Sequence, residues 1–334
     1  MKKLRMLMAG ALALPLSAVA SVPKVAVDIT PLHSLVAQVM SGVGEPELLV
    51  QSGASPHGYS LSPSEAEALE DADLVFWVGE PLEPWLENSL ETLGRDARVI
   101  EMLEVPGTTT HAFREGATFE GHHHHDGEDA SHHEDGEGHH DEHAHHHEEH
   151  DHHDHGHHHE GLDSHAWLDP ANARLWLEVI ADELSGMDPE NADLYSRNAK
   201  QGQQQIAKIS AGIEATVADL GDLRFIVFHD AYQYFEKRFG IEATGAISIG
   251  DASDPGPARV REIRELVKTL NIRCVFTEPQ YNPDMVNTVF GGTGVNTSAV
   301  MDPLGAHLEP GPKLYPQLLQ GIAGSLDDCR DQAG

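Results

Sequence analysis

Three histidines that lie far apart in the chain have the residue type and position to bind a metal. His57 stands in the loop "QSGASPHGYSL" after the apolar run "ELLV", His165 stands in "DSHAWLDP", and His229 ends "RFIVFH". Asp302, in "MDPLG", follows the run "NTSAVM". If these runs are strands of open α/β sheets, their carboxyl ends are where loops converge and ligands bind. Because three imidazoles and one carboxylate suit four-coordinate zinc, we predict a metal site formed by these four residues.

The same histidines could instead have structural roles. The chain has no local zinc pattern such as HExxH, and each ring could cap a turn or satisfy a buried hydrogen bond. Among the remaining histidines we expect His33 to be structural, and His111 and His307 to lie at the surface. The carboxylates that could orient the ligand rings are Asp163, Asp230 and Glu278.

The tract from Gly121 to Glu160 holds 19 of the 25 histidines, mixed with carboxylates and without Lys or Arg. Its apolar content cannot offset the backbone entropy of folding, roughly 1–2 kcal/mol per residue, so we predict a disordered loop. Imidazoles beside carboxylates bind transition metals. A polar linker or an affinity tag is the alternative, although tags are usually uniform and terminal. We expect the tract to provide many loose metal sites and no selective one.

Charge and the N-terminus indicate the compartment and the kind of partner. The formal net charge of −34 disfavours nucleic acid and anionic membranes and favours cations. Residues 1–20 have the pattern of a secretory signal peptide, with a basic start, an apolar stretch and the small-x-small sequence Ala18-Val19-Ala20. We therefore expect an exported protein that begins near Ser21.

Two cysteines, Cys274 and Cys329, are present. In an oxidising compartment an even pair favours a disulfide. Two free thiols that act as soft metal ligands are the alternative.

Short apolar runs alternate with helical patterns, which predicts an α/β fold of mostly parallel sheets flanked by helices. The predicted strands are Val25–Ile29, Glu47–Val50, Leu74–Gly79 and Arg98–Met102 in the first half, and Arg224–His229, Gly245–Ile249, Arg273–Glu278 and Asn296–Met301 in the second. One helix follows Ser62, whose side chain can form a capping box with Glu65. Another is predicted in "GPARVREIRELVKTL".

Between the two halves, Asp169-Pro170 and Asp188-Pro189 each have the pattern of a helix start. The second helix would run to about Asp219, which is about 46 Å at 1.5 Å per residue. We therefore predict two lobes joined by one long rigid helix, with the ligand between them. The predicted boundaries are 21–170 for the N-terminal lobe including the tract 121–160, 171–220 for the connecting helices, and 221–334 for the C-terminal lobe.

Several segments together resemble a known family. "GASPHGYSLSPSEAEAL", "DSHAWLDP", "FIVFHDAYQYFEKRFG", "CVFTEPQYNP" and "MDPLG" are similar, in order, to the signatures of the periplasmic zinc receptors of zinc-uptake ABC transporters, which belong to the metal-binding solute-binding proteins. The resemblance covers nearly the whole mature chain. It includes a His-rich loop before the second signature and a late cysteine pair.

The resemblance implies that Zn(II) is the transported ligand, with His57, His165 and His229 as ligands and with Asp302, a histidine of the tract or water as the fourth. It also implies a periplasmic location, a membrane permease as partner, no catalysis, and a monomer that does not bind nucleic acid. Manganese receptors of the family carry Glu where this chain has His229, which favours zinc. Pro56 stands where some zinc receptors have an acidic residue. A manganese or nickel receptor and a secreted zinc hydrolase are the alternatives.

Overall fold

The computed structural model describes residues 22–114, 119, 161–248, 256–281, 286, 289–291, 293–295, 297 and 299–332. The predicted signal peptide and the histidine tract 121–160 lie outside these residues. Among the described helices, none combines the length and the apolar composition that a membrane span requires.

The N-terminal sheet has four parallel strands in the order β2-β1-β3-β4. The strands are β1 (Val25–Val27), β2 (Glu47–Leu48), β3 (Leu74–Trp77) and β4 (Arg98–Glu101). The helices of this half are α1 (Thr30–Val39), α2 (Pro63–Glu70) and α3 (Pro84–Thr92). Every residue of β1 and β3 is buried, as expected for parallel strands with both faces covered. The predicted capping box of α2 is present, since the Ser62 hydroxyl accepts from the Glu65 amide and the Glu65 carboxylate accepts from the Ser62 amide.

A short antiparallel ladder, which the sequence did not indicate, pairs a segment that precedes the tract with the segment that directly follows it. It pairs β5 (His111–Ala112) with β6 (Leu162–Asp163). The Phe113 amide extends the ladder by donating to the Gly161 carbonyl at 2.7 Å. Gly161, the residue that directly follows the tract, is therefore held in this ladder, four residues before His165.

Two long helices follow the ladder. Helix α4 (Pro170–Met187) begins at Asp169, whose carboxylate accepts from the Ala171 amide, as predicted. Helix α5 (Ala192–Ala218) has 27 residues and is therefore about 40 Å long. The predicted capping of this helix by Asp188 is wrong. A 3₁₀ turn at Pro189–Asn191 precedes the helix, and the Asp188 carboxylate accepts from the Tyr195 hydroxyl and the Asn191 side-chain amide instead.

The C-terminal sheet has three parallel strands in the order β8-β7-β9. The elements are β7 (Phe225–His229), α6 (Gln233–Phe239), β8 (Gly245–Ser248), α7 (Pro257–Thr269), β9 (Cys274–Val275) and α8 (Leu314–Gln332). Of the strand predicted at Asn296–Met301, the described residues form one parallel bridge, between Val300 and Thr277. Residues 296 and 298 lie outside the described residues.

One hydrophobic cluster runs through both halves. It includes Val27 of β1, Trp176 of α4, Val227 of β7 and Leu319 of α8. The long helix α5 packs against α1, α4 and α8. Cys274 of β9 and Cys329 of α8 form the predicted disulfide, with their Cα atoms 6.1 Å apart. The two sheets are thus held through shared helices, while the lobe boundaries given above stay predictions.

Candidate metal centre

His229 ends the central strand of the C-terminal sheet, and a neighbouring carboxylate holds its ring. The ring is buried, and its Nδ1 lies 2.6 Å from Oε2 of Glu278. The other oxygen of Glu278 accepts from the His229 amide at 3.2 Å. Glu278 follows β9, which pairs with β7 in parallel. Both residues therefore reach the same sheet edge, as the sequence predicted.

His165 lies two residues after β6, where Asp163 fixes both its backbone and its ring. Oδ1 of Asp163 accepts from the His165 amide at 3.0 Å and contacts the ring Nδ1 at 2.8 Å. The side chains of Asp163 and His165 are both buried. The spacing of two residues lets one carboxylate oxygen meet both nitrogens, so the local sequence "DSH" sets the direction of this ring.

His57 belongs to the loop between β2 and α2, and an aromatic residue of α3 supports that loop. The indole Nε1 of Trp85 donates to the Pro56 carbonyl at 2.7 Å. On the other side of His57, the Tyr59 hydroxyl donates to Glu65, the capping-box residue, at 3.0 Å. The start of α2 and the start of α3 thus hold the loop from both sides.

The three rings meet around one point. Their centroids lie 5.4 Å apart for His57–His165, 5.7 Å for His57–His229 and 5.2 Å for His165–His229. One ligand atom from each ring lies within 4.8 Å of the other two. The rings border a cavity of about 10 Å³, which is about the volume of one water-sized sphere. The arrangement accommodates a single ion.

The carboxylates fix which ring nitrogens face the centre. In His165 and His229 the Nδ1 atom lies next to a carboxylate, which favours the tautomer with the hydrogen on Nδ1 and a lone pair on Nε2. The two Nε2 atoms lie 3.3 Å apart. Two facing lone pairs at this distance repel each other unless a cation lies between them. Carboxylate–histidine pairs of this kind also orient the ligands of metal sites.

The pKa values of the three histidine rings are shifted in different directions. Burial lowers the pKa of His57 and of His165 well below the usual value, and the other rings at the centre add to this effect. Burial also lowers the pKa of His229, but the Glu278 carboxylate outweighs it, so the pKa of His229 is raised. Burial raises the pKa of Asp163 to about 7. Two rings are therefore neutral and ready to bind a metal, whereas protons compete for His229.

Asp302, the fourth predicted ligand, is not part of the group that meets at the centre. Its Oδ1 accepts from the amides of Leu304 and Gly305, each at 3.0 Å. Its Oδ2 accepts from the Ala306 amide at 2.6 Å. The carboxylate thus closes the turn that follows it. Its role as a ligand stays a prediction.

The other histidines have different surroundings. His33 is buried on α1, with Nε2 3.0 Å from the Pro46 carbonyl, in keeping with a structural role. His307 is exposed, as expected. The surface position predicted for His111 is wrong, because its ring is half-buried against Tyr234, with centroids 4.7 Å apart. The cause is the ladder between β5 and β6, which draws this residue inward.

Sequence reasoning assigned one orienting carboxylate to the wrong partner. Asp163 and Glu278 contact the rings of His165 and His229 as predicted, but the Asp230 carboxylate accepts from Arg114 Nε, with both oxygens at 3.0 Å. Arg114 also pairs with Glu236. Nothing in the residue spacing connects Arg114 with Asp230, since they are 116 positions apart. Likewise, nothing in the residue spacing connects Trp85 with the His57 loop that it supports.

Comparison with known proteins agrees with this geometry. The profile of the family described as "Zinc-uptake complex component A periplasmic" (ZnuA) matches residues 25–329. The chain belongs to the ZnuA family. This family comprises periplasmic solute-binding receptors for zinc uptake, and the resemblance seen in the sequence is thereby confirmed.

Individual members of the ZnuA family are similar along most of the chain. The high-affinity zinc uptake system protein ZnuA of Brucella abortus is 46% identical over 305 residues, which are 91% of each chain. The protein of that name from Paracoccus denitrificans is 42% identical over 320 residues, or 96% of this chain and 95% of the other. A crystal structure of ZnuA superimposes with a TM-score of 0.71 at 18% identity, covering 92% of this chain and 99% of that one. At that identity the structural match concerns the fold alone.

Proposed function

We propose that this protein captures Zn(II) in the periplasm through His57, His165 and His229 and delivers it to the membrane permease of an ABC transporter. The observation that carries the proposal is the convergence of three imidazoles on one cavity, with two Nε2 atoms 3.3 Å apart. Zinc–nitrogen bonds are about 2.0–2.1 Å long, so one ion can contact all three rings after small side-chain movements. Zinc is the cargo, and the protein acts as a monomeric receptor.

The donor set favours zinc over the other metals that this fold could carry. Imidazole nitrogens suit zinc, whereas manganese prefers oxygen ligands. The two carboxylates at the centre, Asp163 and Glu278, contact Nδ1 atoms of the rings and so support the ligands. Nickel also accepts imidazole ligands, so competition among metals is part of the test below.

A secreted zinc hydrolase is a weaker interpretation of the same three histidines. Such an enzyme needs a general base within hydrogen-bond reach of the water that it activates. Asp163 and Glu278 already contact ligand rings, and Asp302 accepts three backbone amides. These contacts, together with membership of a receptor family, favour binding without catalysis.

The histidine tract has an accessory role in this proposal. Its last residue directly precedes Gly161, which bonds to the β5–β6 ladder, and Asp163 of that ladder contacts His165. Metal bound loosely by the tract would therefore be released close to the centre. The tract supplies capacity, and the three buried histidines supply tight binding.

The test compares His229→Ala with His307→Ala, a matched control at an exposed position. Both are made in the full chain and in a chain that lacks residues 121–160, and zinc affinity is measured by competition with a chromophoric chelator. His229→Ala should weaken binding by more than the 10- to 100-fold that loss of an orienting residue causes. His307→Ala should bind like the wild type. Equal affinity of both variants would refute the site, and tighter manganese or nickel binding would refute the metal.

A further inference from the structure

Gln280 borders the same cavity as the three histidines, and the mechanism above leaves it without a role. It lies two residues after Glu278 in the segment that follows β9. Its side-chain nitrogen Nε2 donates to Oδ1 of Asp302 at 3.0 Å. Gln280 therefore connects the Asp302 turn with the edge of the cavity by a hydrogen bond.

The hydrogen bond with Asp302 fixes the orientation of the Gln280 amide. A carboxylate only accepts hydrogen bonds, so the amide must present its NH₂ group to Asp302. The amides of Leu304 and Gly305 hold the accepting oxygen in place, each at 3.0 Å. The amide cannot rotate by half a turn without placing two oxygens against each other.

The opposite end of the amide, Oε1, is buried and has no hydrogen-bond partner in the described part of the chain. Buried polar atoms almost always have a partner, and an exception calls for a bound molecule or ion. A metal ion held by three histidines has a fourth coordination position. A molecule at that position would lie within the cavity that Gln280 borders.

We propose that Oε1 of Gln280 accepts a hydrogen bond from a water molecule that is the fourth ligand of the captured ion, and that Asp302 is a positioning residue that sets this amide. The inference rests on the proposed function of the three histidines. A neutral carbonyl oxygen favours a ligand that donates hydrogen bonds. It disfavours an anion as the ligand, because the negative charge of the anion would face the partially negative carbonyl oxygen of Gln280.

This arrangement makes the fourth position selective for water. A carboxylate at the place of Gln280 would draw a proton from the bound water and generate a nucleophile. An amide cannot accept that proton, so Gln280 adds no base to the site and favours a neutral water molecule as the ligand. Such a ligand is readily replaced during transfer to the next binding site.

The test uses Gln280→Leu in the full mature chain, with Gln320→Leu, on the exposed face of α8, as the matched control. Half an equivalent of Co(II) fills the tightest site first, and the visible spectrum is followed during titration with azide. Azide should bind about tenfold more tightly to Gln280→Leu than to the wild type, because the opposing carbonyl oxygen is gone. Zinc affinity should fall by about tenfold, the lower end of the effect of losing an orienting group.

A second variant, Asp302→Asn, keeps the test decisive if Gln280→Leu folds poorly. It frees the amide to rotate and should also tighten azide binding, with less effect on zinc. Poor folding of a variant would not strengthen azide binding at the metal, so tighter azide binding cannot be attributed to a general loss of structure. If Gln280→Leu and Asp302→Asn show wild-type affinities for azide and zinc while His229→Ala loses zinc, the role of Gln280 is refuted and the histidine site stands. If His229→Ala keeps zinc, the site itself fails.

Discussion

Replacing Glu278 by Gln removes a charge at the centre with little change of shape. In the wild type the carboxylate lies 2.6 Å from His229 Nδ1 and accepts from the His229 amide at 3.2 Å. Both side chains are buried, so solvent screens their interaction weakly. A glutamine oxygen can still accept the hydrogen bond from the His229 amide. The substitution therefore tests the charge more than the packing.

Two opposite effects on zinc binding follow from the loss of this charge. The His229 ring becomes a poorer donor, and loss of an orienting partner typically weakens metal binding 10- to 100-fold, or about 1.4–2.7 kcal/mol. At the same time the raised pKa of His229 should fall, because Glu278 is the group that raises it. Zinc needs the unprotonated ring, and protons compete below that pKa. The variant should thus bind zinc more weakly at pH 7.5, and its zinc affinity should begin to decline at a lower pH than that of the wild type.

Chelator competition between pH 5 and 8 measures both effects, and Glu309→Gln, at an exposed position, is the control. His57 and His165 have lowered pKa values, so they should add little to the proton competition in this range. Asp163, with a pKa of about 7, adds a second titration that both proteins share. Equal affinity of Glu278→Gln and wild type at pH 7.5, or an affinity that begins to decline at the same pH in both proteins, would refute the reasoning.

Three further predictions concern the tract and the supports of the site. Deleting residues 121–160 should lower the number of zinc ions per chain but leave one tight equivalent, counted by elemental analysis; loss of that equivalent would contradict the accessory role. Trp85→Phe removes the 2.7 Å bond to the Pro56 carbonyl, which contributes about 1 kcal/mol, so zinc should bind about fivefold more weakly and dissociate faster in stopped-flow exchange with a chelator. Burial raises the pKa of Asp28 to about 6 and that of Glu83 well above its usual range, so the folded chain keeps protons that the unfolded chain releases. The free energy of unfolding should therefore fall as the pH rises from about 4 through 6. Urea unfolding at pH 5 and 8 should show a smaller fall for Glu83→Gln than for the wild type.

Local chemistry was sufficient to predict much of the fold. The capping box at Ser62 and the Asp169 cap depend on residues within three positions of each other, and both are present. The strands were located because parallel strands buried on both faces need continuous apolar runs. The end of β7 at His229 follows from the same pattern.

Predictions that depended on distant partners were less successful. Asp188 has the same local pattern as Asp169, but its carboxylate bonds to the Tyr195 hydroxyl seven residues later. His111 looked like a surface residue until β5 paired with β6 across the tract. In each case an interaction with another segment replaced the arrangement that the local sequence favoured.

The sequence by itself determined which donors are available and at which edge of each sheet they stand, because strand direction places the residue after a strand at its carboxyl end. It also indicated one long helix between the two halves, although that helix begins at Ala192 rather than Pro189, and it favoured the pairing of the two cysteines. Only the tertiary structure decided which donors meet. The 3.3 Å contact between His165 and His229 depends on how helices shared by both halves pack the two sheets, and the Asp302 carboxylate accepts hydrogen bonds from the backbone amides of its own turn.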